Sequence, residues 1–263
     1  MKKDFSLIWS FRNRIDVLKQ SIETADKTCP KSVKFILVDA SSNEETIKEL
    51  RLFCSKIQDR TIRICESNYR SSLAEAWNIG IMLSETRYVI FSSSDVEFIS
   101  EEWFFQLANS VNCGGEYVLL ENHAVFIIDK AIIPKMGWFD EGFKLGPHFD
   151  SEFMLRGSEA NVRFSILINN NRFYKHGDVD LDTRQKNELI DRLPMNDLSN
   201  EKYFMSKWKS EWDGWSDKTH PPTHISQAQR QFAEIDPHPF YTKKYQELYG
   251  AKSTTSPFKS LSK

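Results

Sequence analysis

No apolar run in the 263-residue chain approaches the roughly 18 residues that a membrane-spanning helix needs. The charged start, Met1-Lys-Lys-Asp, leads into a short strand-like segment rather than an apolar leader, so the sequence reads as soluble, unexported and cytoplasmic. Cysteine is scarce: Cys29, Cys54, Cys65 and Cys113 are scattered without a Cys-x-x-Cys pair. That spacing argues against a zinc site and for reduced thiols acting as small hydrophobes in or near a core. Neither sign of charge dominates, with 35 Lys+Arg against 37 Asp+Glu and a net charge of −2, which excludes a broad basic nucleic-acid surface. A hydrophobic content of 40% excludes wholesale disorder. Internal repeats and long low-complexity runs are also missing. Nucleotide, sugar and small-molecule partners remain open.

What is present is an alternation of strand-like and helix-like segments. Phe5 to Ser10 reads as a strand, Ile15 to Ile22 as an amphipathic helix, and Val33-Lys-Phe-Ile-Leu-Val-Asp39 as a nearly continuous apolar strand. Ser41-Ser-Asn-Glu-Glu-Thr46 is a helix-entry signal, and the helix it opens runs to about Ile57. Thr61 to Cys65, Ser72 to Leu83 and Tyr88 to Phe91 continue the strand, helix, strand order. This repeated unit predicts an α/β fold with a mostly parallel sheet flanked by helices, whose ligands gather at the carboxyl ends of the strands. Beyond Trp103 the pattern is mixed: a helix to Val111, strands near Tyr117 to Leu120 and Ala124 to Ile128, a helix over Phe149 to Arg156, and a strand over Val162 to Ile168. The domain division predicted is 1–192 for the sheet-bearing part and 193–263 for a helical appendage with a frayed Lys/Ser/Thr-rich tail from Lys252.

Several residues stand where chemistry is expected. Asp39 ends the strand Phe35 to Val38, where it can accept from ribose hydroxyls or a base N–H, or cap the following helix. Asp95 follows Tyr88-Val-Ile-Phe-Ser-Ser-Ser94 and reads as a ligand for a hard divalent cation or as a turn residue, with Glu97 a helper if the strand continues. Asp150 and Glu152 fall in a first helical turn, where acids are favoured by the helix dipole whether or not they react. His176 follows the last strong strand, as a ligand or as an ordinary surface imidazole.

In order, these pieces resemble the GT-A fold nucleotide-sugar glycosyltransferases of family 2, particularly the rhamnosyltransferase-like group. Phe5-Ser-Leu-Ile-Trp-Ser-Phe-Arg-Asn-Arg14 is similar to that family's opening strand and Thr-Tyr-Asn-Arg-type loop, which implies donor contacts from Ser10 and Arg12. Val38-Asp-Ala-Ser-Ser42 resembles its nucleotide-binding turn, placing Asp39 on the base or ribose. Ser72-Leu-Ala-Glu-Ala-Trp-Asn-Ile-Gly80 is similar to the segment before the metal-site strand, which puts Asn78 on the donor side. Ser93-Ser-Asp-Val-Glu97 falls on the Asp-x-Asp position, making Asp95 the metal acid and Ser93 and Ser94 donor contacts, with Ser93 standing where the first acid usually does. Met136-Gly-Trp-Phe-Asp-Glu141 resembles the loop lining the acceptor side, implying acceptor contacts from Trp138 and Asp140. Phe149-Asp-Ser-Glu-Phe-Met-Leu-Arg156 is similar to Glu-Asp-x-Asp-Leu-x-x-Arg, with Asp150 as catalytic base, Glu152 on the acceptor side and Phe149 in place of the usual Glu. His176 falls where a late metal-ligating histidine often stands.

The resemblance implies transfer of a sugar from a nucleotide sugar, with UDP-sugar favoured, to a glycan, lipid-linked or other hydroxyl. It also implies inversion and a Mn2+ or Mg2+ cofactor. Two other readings stand beside it. A nucleotidyltransferase would need a Gly-rich loop and a lysine near the N-terminus, and ten glycines in all with Arg12-Asn-Arg14 in that loop fit it poorly. A glycan-binding module that has lost its chemistry would account for Ser93 and Phe149.

Overall fold

The computed structural model describes residues 4–67, 71–141, 143, 149–168, 172–177 and 258–262. Four parallel strands, β1 (Phe5–Phe11), β2 (Lys34–Asp39), β3 (Ile62–Ser67) and β4 (Tyr88–Ser92), alternate with helices α1 (Ile15–Thr28), α2 (Glu44–Cys54) and α3 (Leu73–Leu83). After a short strand β5 (Val96–Phe98) come α4 (Glu102–Asn112), β6 (Tyr117–Leu120), β7 (Asn122–Asp129), the single turn α5 (Ile133–Met136), α6 (Phe149–Glu159), β8 (Phe164–Leu167), β9 (Tyr174–His176) and β10 (Phe258–Ser262). The main sheet has the order β10-β3-β2-β1-β4-β7-β6-β8, with β7 antiparallel to both neighbours and β10 antiparallel to β3. It is the mostly parallel sheet that the βα alternation predicts. Of the expected appendage, residues 193–263, only β10 lies within the described residues.

Side chains alternating across the pleat build two cores. Leu7, Trp9, Phe35 and Leu37 face α1, α2 and α4, meeting Leu18, Ile22, Leu50, Trp103 and Leu107. Ile8, Ile36, Val38, Phe91 and Phe126 face the other way, toward α3, α5 and α6, meeting Trp77, Ile79, Met136 and Phe153. Cys29, Cys54 and Cys65 are buried, as expected of small hydrophobes, whereas Cys113 is exposed. Burial pushes the Cys65 thiol up to about 12, so it stays protonated and inert.

Local chemistry sets where these elements begin. Asn43 accepts from the Thr46 amide and starts α2, and Ser72 and Glu75 form a reciprocal capping box at the head of α3. The apolar alternation gives no hint of β5 and β9, three residues each, which pair antiparallel as a separate ribbon in the register Val96↔His176 and Phe98↔Tyr174. That ribbon brings His176 beside the turn that follows β4.

Candidate active site

The parallel strands end at one edge of the sheet, and the loops there carry most of the candidate residues. Asp39, at the end of β2, is buried and accepts from the Ser42 amide at 2.8 Å, so one carboxylate oxygen organises the β2–α2 turn. The neighbouring β1–α1 loop interlocks with it. Arg12 donates to the Ser41 carbonyl at 3.3 Å, the Asn13 amide to Ser42 Oγ at 2.7 Å, and the Asn43 amide to Asn13 Oδ1 at 3.2 Å. Asn13, Arg14 and Ser41 all take left-handed backbone conformations, with φ of 52°, 49° and 73°. Such strain collects where a loop is shaped for a ligand. Ser10, at the end of β1, is half-buried beside this pair of loops.

β4 delivers Asp95 into a turn just past the sheet. The Ser93 amide donates to the Ala124 carbonyl at 2.8 Å, tying the turn to the start of β7, and Ser93 and Ser94 are half-buried. The β5–β9 ribbon then brings His176 Nε2 to 3.2 Å from Asp95 Oδ1, and the Gly177 amide donates to the Asp95 carbonyl at 2.8 Å. A Cβ at Gly177 would lie 3.0 Å from that carbonyl oxygen, a tight approach that glycine avoids. On the other side Arg14 Nη1 lies 3.7 Å from Asp95 Oδ2, and Arg14 Nε is buried without a hydrogen-bond partner among the described residues. Burial pushes the Asp95 carboxyl up, but the hydrogen bond and charge of His176, with the charge of Arg14, outweigh it and hold the group below the usual aspartate value.

A carboxylate oxygen and an imidazole nitrogen converging in this way fit a hard divalent cation that draws its remaining oxygen ligands from water and an anionic substrate. Among the described residues no cluster of three or more His, Cys, Asp or Glu forms a protein-only cage. Arg14 adds a fixed positive charge beside the same position.

Asp150 lies at the same edge, in the first turn of α6, with its side chain 21% exposed. Its Oδ1 accepts from the Ser151 amide at 2.8 Å, and its Oδ2 faces His123 Nδ1 at 3.3 Å. His123 immediately precedes Ala124, the residue that anchors Ser93, so the metal-type pair and Asp150 flank the start of β7. Beneath Asp150, Phe149 packs its ring 5.0 Å from Trp77, within an aromatic cluster that includes Phe91, Phe126 and Phe139. This packing explains why a phenylalanine is accommodated at position 149.

Three further expected contacts lie deeper. Asn78 is fully buried and pairs both ends of its amide with the Phe139 backbone, so it straps the loop after α5 to α3. Glu152 is fully buried in a bidentate pair with Arg156, and Asp140 is fully buried as well. Trp138 is half-buried against the same core. Sequence reasoning missed Arg14, His123 and Tyr174. The signal available for Arg14 was its place at the end of the motif-like first loop; a histidine at the head of an apolar strand was the one for His123.

The profile of a family described as Glycosyl transferase family 2 matches residues 6–162. Among solved structures, the mannosyltransferase PcManGT from Pyrobaculum calidifontis, in complex with GDP-Man and Mn2+, superposes with a TM-score of 0.57 at 11% identity, covering 64% of this chain and 57% of that one. S. aureus TarS superposes with a TM-score of 0.56 at 16% identity over 77% of this chain and 42% of that one. Its fragment 1–349 in complex with UDP-GlcNAc gives 0.55 at 16% identity, over 77% and 70%. The chain therefore spans less than two thirds of the mannosyltransferase and of the longer TarS chain. A comparison with curated proteins found no match. At these identities the structural likeness speaks for the fold, which is GT-A.

Proposed function

The chain belongs to glycosyl transferase family 2, and we propose that it transfers a sugar from a nucleoside diphosphate sugar to an acceptor hydroxyl, with inversion and with a divalent cation. The observation that carries this reading is the convergence of Asp95 and His176 at 3.2 Å on the sheet edge where Asp150 also lies. The solved relatives hold GDP-Man with Mn2+ in one case and UDP-GlcNAc in the other, which makes these two donors the first to test.

In this reading Asp39 and the β1–α1 loop receive the nucleoside, and Ser10, Arg12, Ser93 and Ser94 line its path to the diphosphate. Asp95 and His176 hold the cation, Mn2+ or Mg2+, which when bound supplies positive charge against the departing nucleoside diphosphate. Arg14 contributes a guanidinium to the same charge, with an unused Nε–H to direct at an oxygen. Asp150 accepts the proton of the acceptor hydroxyl as that oxygen attacks the anomeric carbon, and Trp138 offers a ring face to the acceptor sugar. Among the described residues no helix is long and apolar enough to cross a membrane.

The experiment is a thermal-shift and turnover pair. UDP-GlcNAc and GDP-mannose, each with Mn2+ or Mg2+, should raise the melting temperature and release nucleoside diphosphate slowly with water as acceptor. Asp150→Asn should abolish release while the thermal shift survives; Asp95→Ala should weaken the shift itself, as should excess chelator. Full turnover by Asp150→Asn sinks the base assignment. Glycan binding without any turnover of either donor favours the non-catalytic module.

A further inference from the structure

His123 is a half-buried histidine, its side chain 14% exposed, that neither the donor site nor the cation site uses. It sits at the second position of β7, where the β6–β7 ladder is irregular: Leu119 pairs with Phe126 but Leu120 with Asn122. The connecting Glu121 takes a left-handed backbone, with φ of 72°. Irregularities of this kind re-aim a side chain beside a site. Here the ring bridges two groups: Nδ1 lies 3.3 Å from Asp150 Oδ2 on α6, and Nε2 lies 2.7 Å from the hydroxyl of Tyr117 on β6.

We infer that His123 positions the carboxylate of Asp150: its Nδ1–H donates to Oδ2, and Tyr117 fixes that tautomer by donating its hydroxyl proton to Nε2. The inference rests on Asp150 being the base. The hydrogen-bond inventory leaves one neutral arrangement that satisfies all three groups. A carboxylate only accepts, so the ring proton must be on Nδ1, and Nε2 must then receive a proton from the phenol. Burial lowers the imidazole against the opposing pull of the Asp150 charge, so the ring is neutral in the working range. Burial, and secondarily the Asp150 charge, push the Tyr117 phenol well up, so it keeps its proton to donate.

Rigidity supports the assignment. Tyr117 is fully buried among Phe126, Phe153 and Phe164, with ring centroids 5.5, 5.7 and 5.0 Å away, and the His123 ring meets Phe126 edge-on at 5.5 Å. Neither ring is free to swing. Among the described residues, the titratable groups facing Asp150 are His123 from β7 and, through it, Tyr117 from β6; on its own helix Glu152 and Arg156 are paired with each other. The consequence is directional. With Oδ2 held by the imidazole and Oδ1 by the Ser151 amide, the carboxylate plane is fixed from both oxygens.

Four variants and one spectrum test this. His123→Leu removes the donor and should lower kcat for nucleoside diphosphate release from UDP-GlcNAc or GDP-mannose by roughly tenfold to a hundredfold, a share of what a positioned base contributes. KM for the donor should stay within about twofold, because the lost contact acts on the transition state alone. His123→Asn keeps an N–H near the Nδ1 position and should restore most of the rate. Tyr117→Phe frees the tautomer and should give a smaller loss. In the Asp150→Asn background His123→Leu should add nothing. In the intact protein, the 15N spectrum of the His123 ring should show one protonated nitrogen, Nδ1, across the range of activity.

Full turnover by Asp150→Asn would bring down the base reading itself. If Asp150→Asn is dead but His123→Leu keeps its kcat, or if asparagine fails to rescue, the positioning role alone is overturned. A ring protonated on Nε2 or on both nitrogens overturns it whether or not any variant folds or either donor is turned over.

Discussion

The side-chain amide of Asn78, on α3, is paired at both ends with the backbone of one residue, Phe139: Nδ2 donates to the carbonyl at 2.8 Å and Oδ1 accepts from the amide at 2.9 Å. Asn78 and Phe139 are both fully buried, so water cannot replace either bond. The pairing joins the sheet-packing helix to the loop that follows α5, and through Phe139, stacked 3.9 Å from Phe153, to the helix that bears Asp150.

Removing the amide leaves a buried N–H and a buried C=O unsatisfied. Asn78→Ala should lower unfolding free energy by about 2–4 kcal/mol, at roughly 1–3 for each orphaned group less what the loop recovers by shifting. Asn78→Asp should be at least as costly, because a carboxylate faces the Phe139 carbonyl where a donor stood. Urea denaturation checks both, and a loss below about 0.5 kcal/mol for either would show that the loop does not depend on the strap.

Glu152 and Arg156 lie one turn apart on α6, and both side chains are fully inaccessible. Arg156 also donates to the Met136 carbonyl at 2.7 Å, fixing the end of α5. Breaking such a pair from one side strands a buried charge, so Arg156→Met should cost about 3–5 kcal/mol. Replacing both residues with apolar ones of similar volume, Glu152→Leu with Arg156→Met, should recover most of that loss. Equal losses in the single and double variants would mean that the stranded carboxylate does not set the cost.

How far the sequence carries differs between the sheet and the site. Continuous apolar runs ending in an acid made β2 and β4 legible, and with them the edge where Asp39 and Asp95 emerge. Family order singled out Asp150 and His176, but the geometry that joins His176 to Asp95 comes from β5 and β9, too short to leave a periodic trace. Polar residues within a motif were the weak point. Asn78 and Glu152 have side chains equally suited to a ligand or to the protein's own buried groups, and only packing decides which. His123 stood at the head of an apolar strand, but its partners lie on β6 and α6, and nothing local in Glu121-Asn-His-Ala124 announces them.

Arg60 has a fully buried side chain that donates to the carbonyls of Pro30, Val33, Asp26 and Cys29 and pairs with the Asp26 carboxylate. Burial pushes the Asp26 carboxyl up, but hydrogen bonds from Lys31 and Arg60 and their charges outweigh it, so the group titrates below its ordinary value. A depressed carboxylate contributes stability that is complete above its unfolded pKa, about 3.9, and is lost as pH falls through the lower folded value. The wild type should therefore exceed Asp26→Asn in stability at pH 7, and that margin should shrink steadily below about pH 4. Denaturant midpoints at neutral pH and near pH 3 measure it; a margin that is constant across that range would mean the pair adds nothing through charge.

Tyr174 ties the β5–β9 ribbon to the main sheet. Its hydroxyl reaches the Leu120 carbonyl at 2.9 Å and Asn122 Oδ1 at 3.2 Å, on the β6–β7 turn, while its backbone pairs with Phe98. Tyr174→Phe keeps the ring but orphans a buried carbonyl, which should cost about 1–3 kcal/mol. The consequence for the site is specific, because His176 is two residues along the same strand, where its pairing with Val96 and the Gly177–Asp95 bond hold it beside Asp95. Loosening β9 should weaken Mn2+ binding in the presence of UDP severalfold, measured by calorimetry. His176→Gln should weaken that binding more than it lowers stability, since the imidazole is 46% exposed while the 12%-exposed Asp95 carboxylate it leaves keeps Arg14 nearby. A Tyr174→Phe protein that loses stability yet binds Mn2+ and UDP as tightly as the wild type would show that the ribbon holds its histidine through the backbone ladder alone.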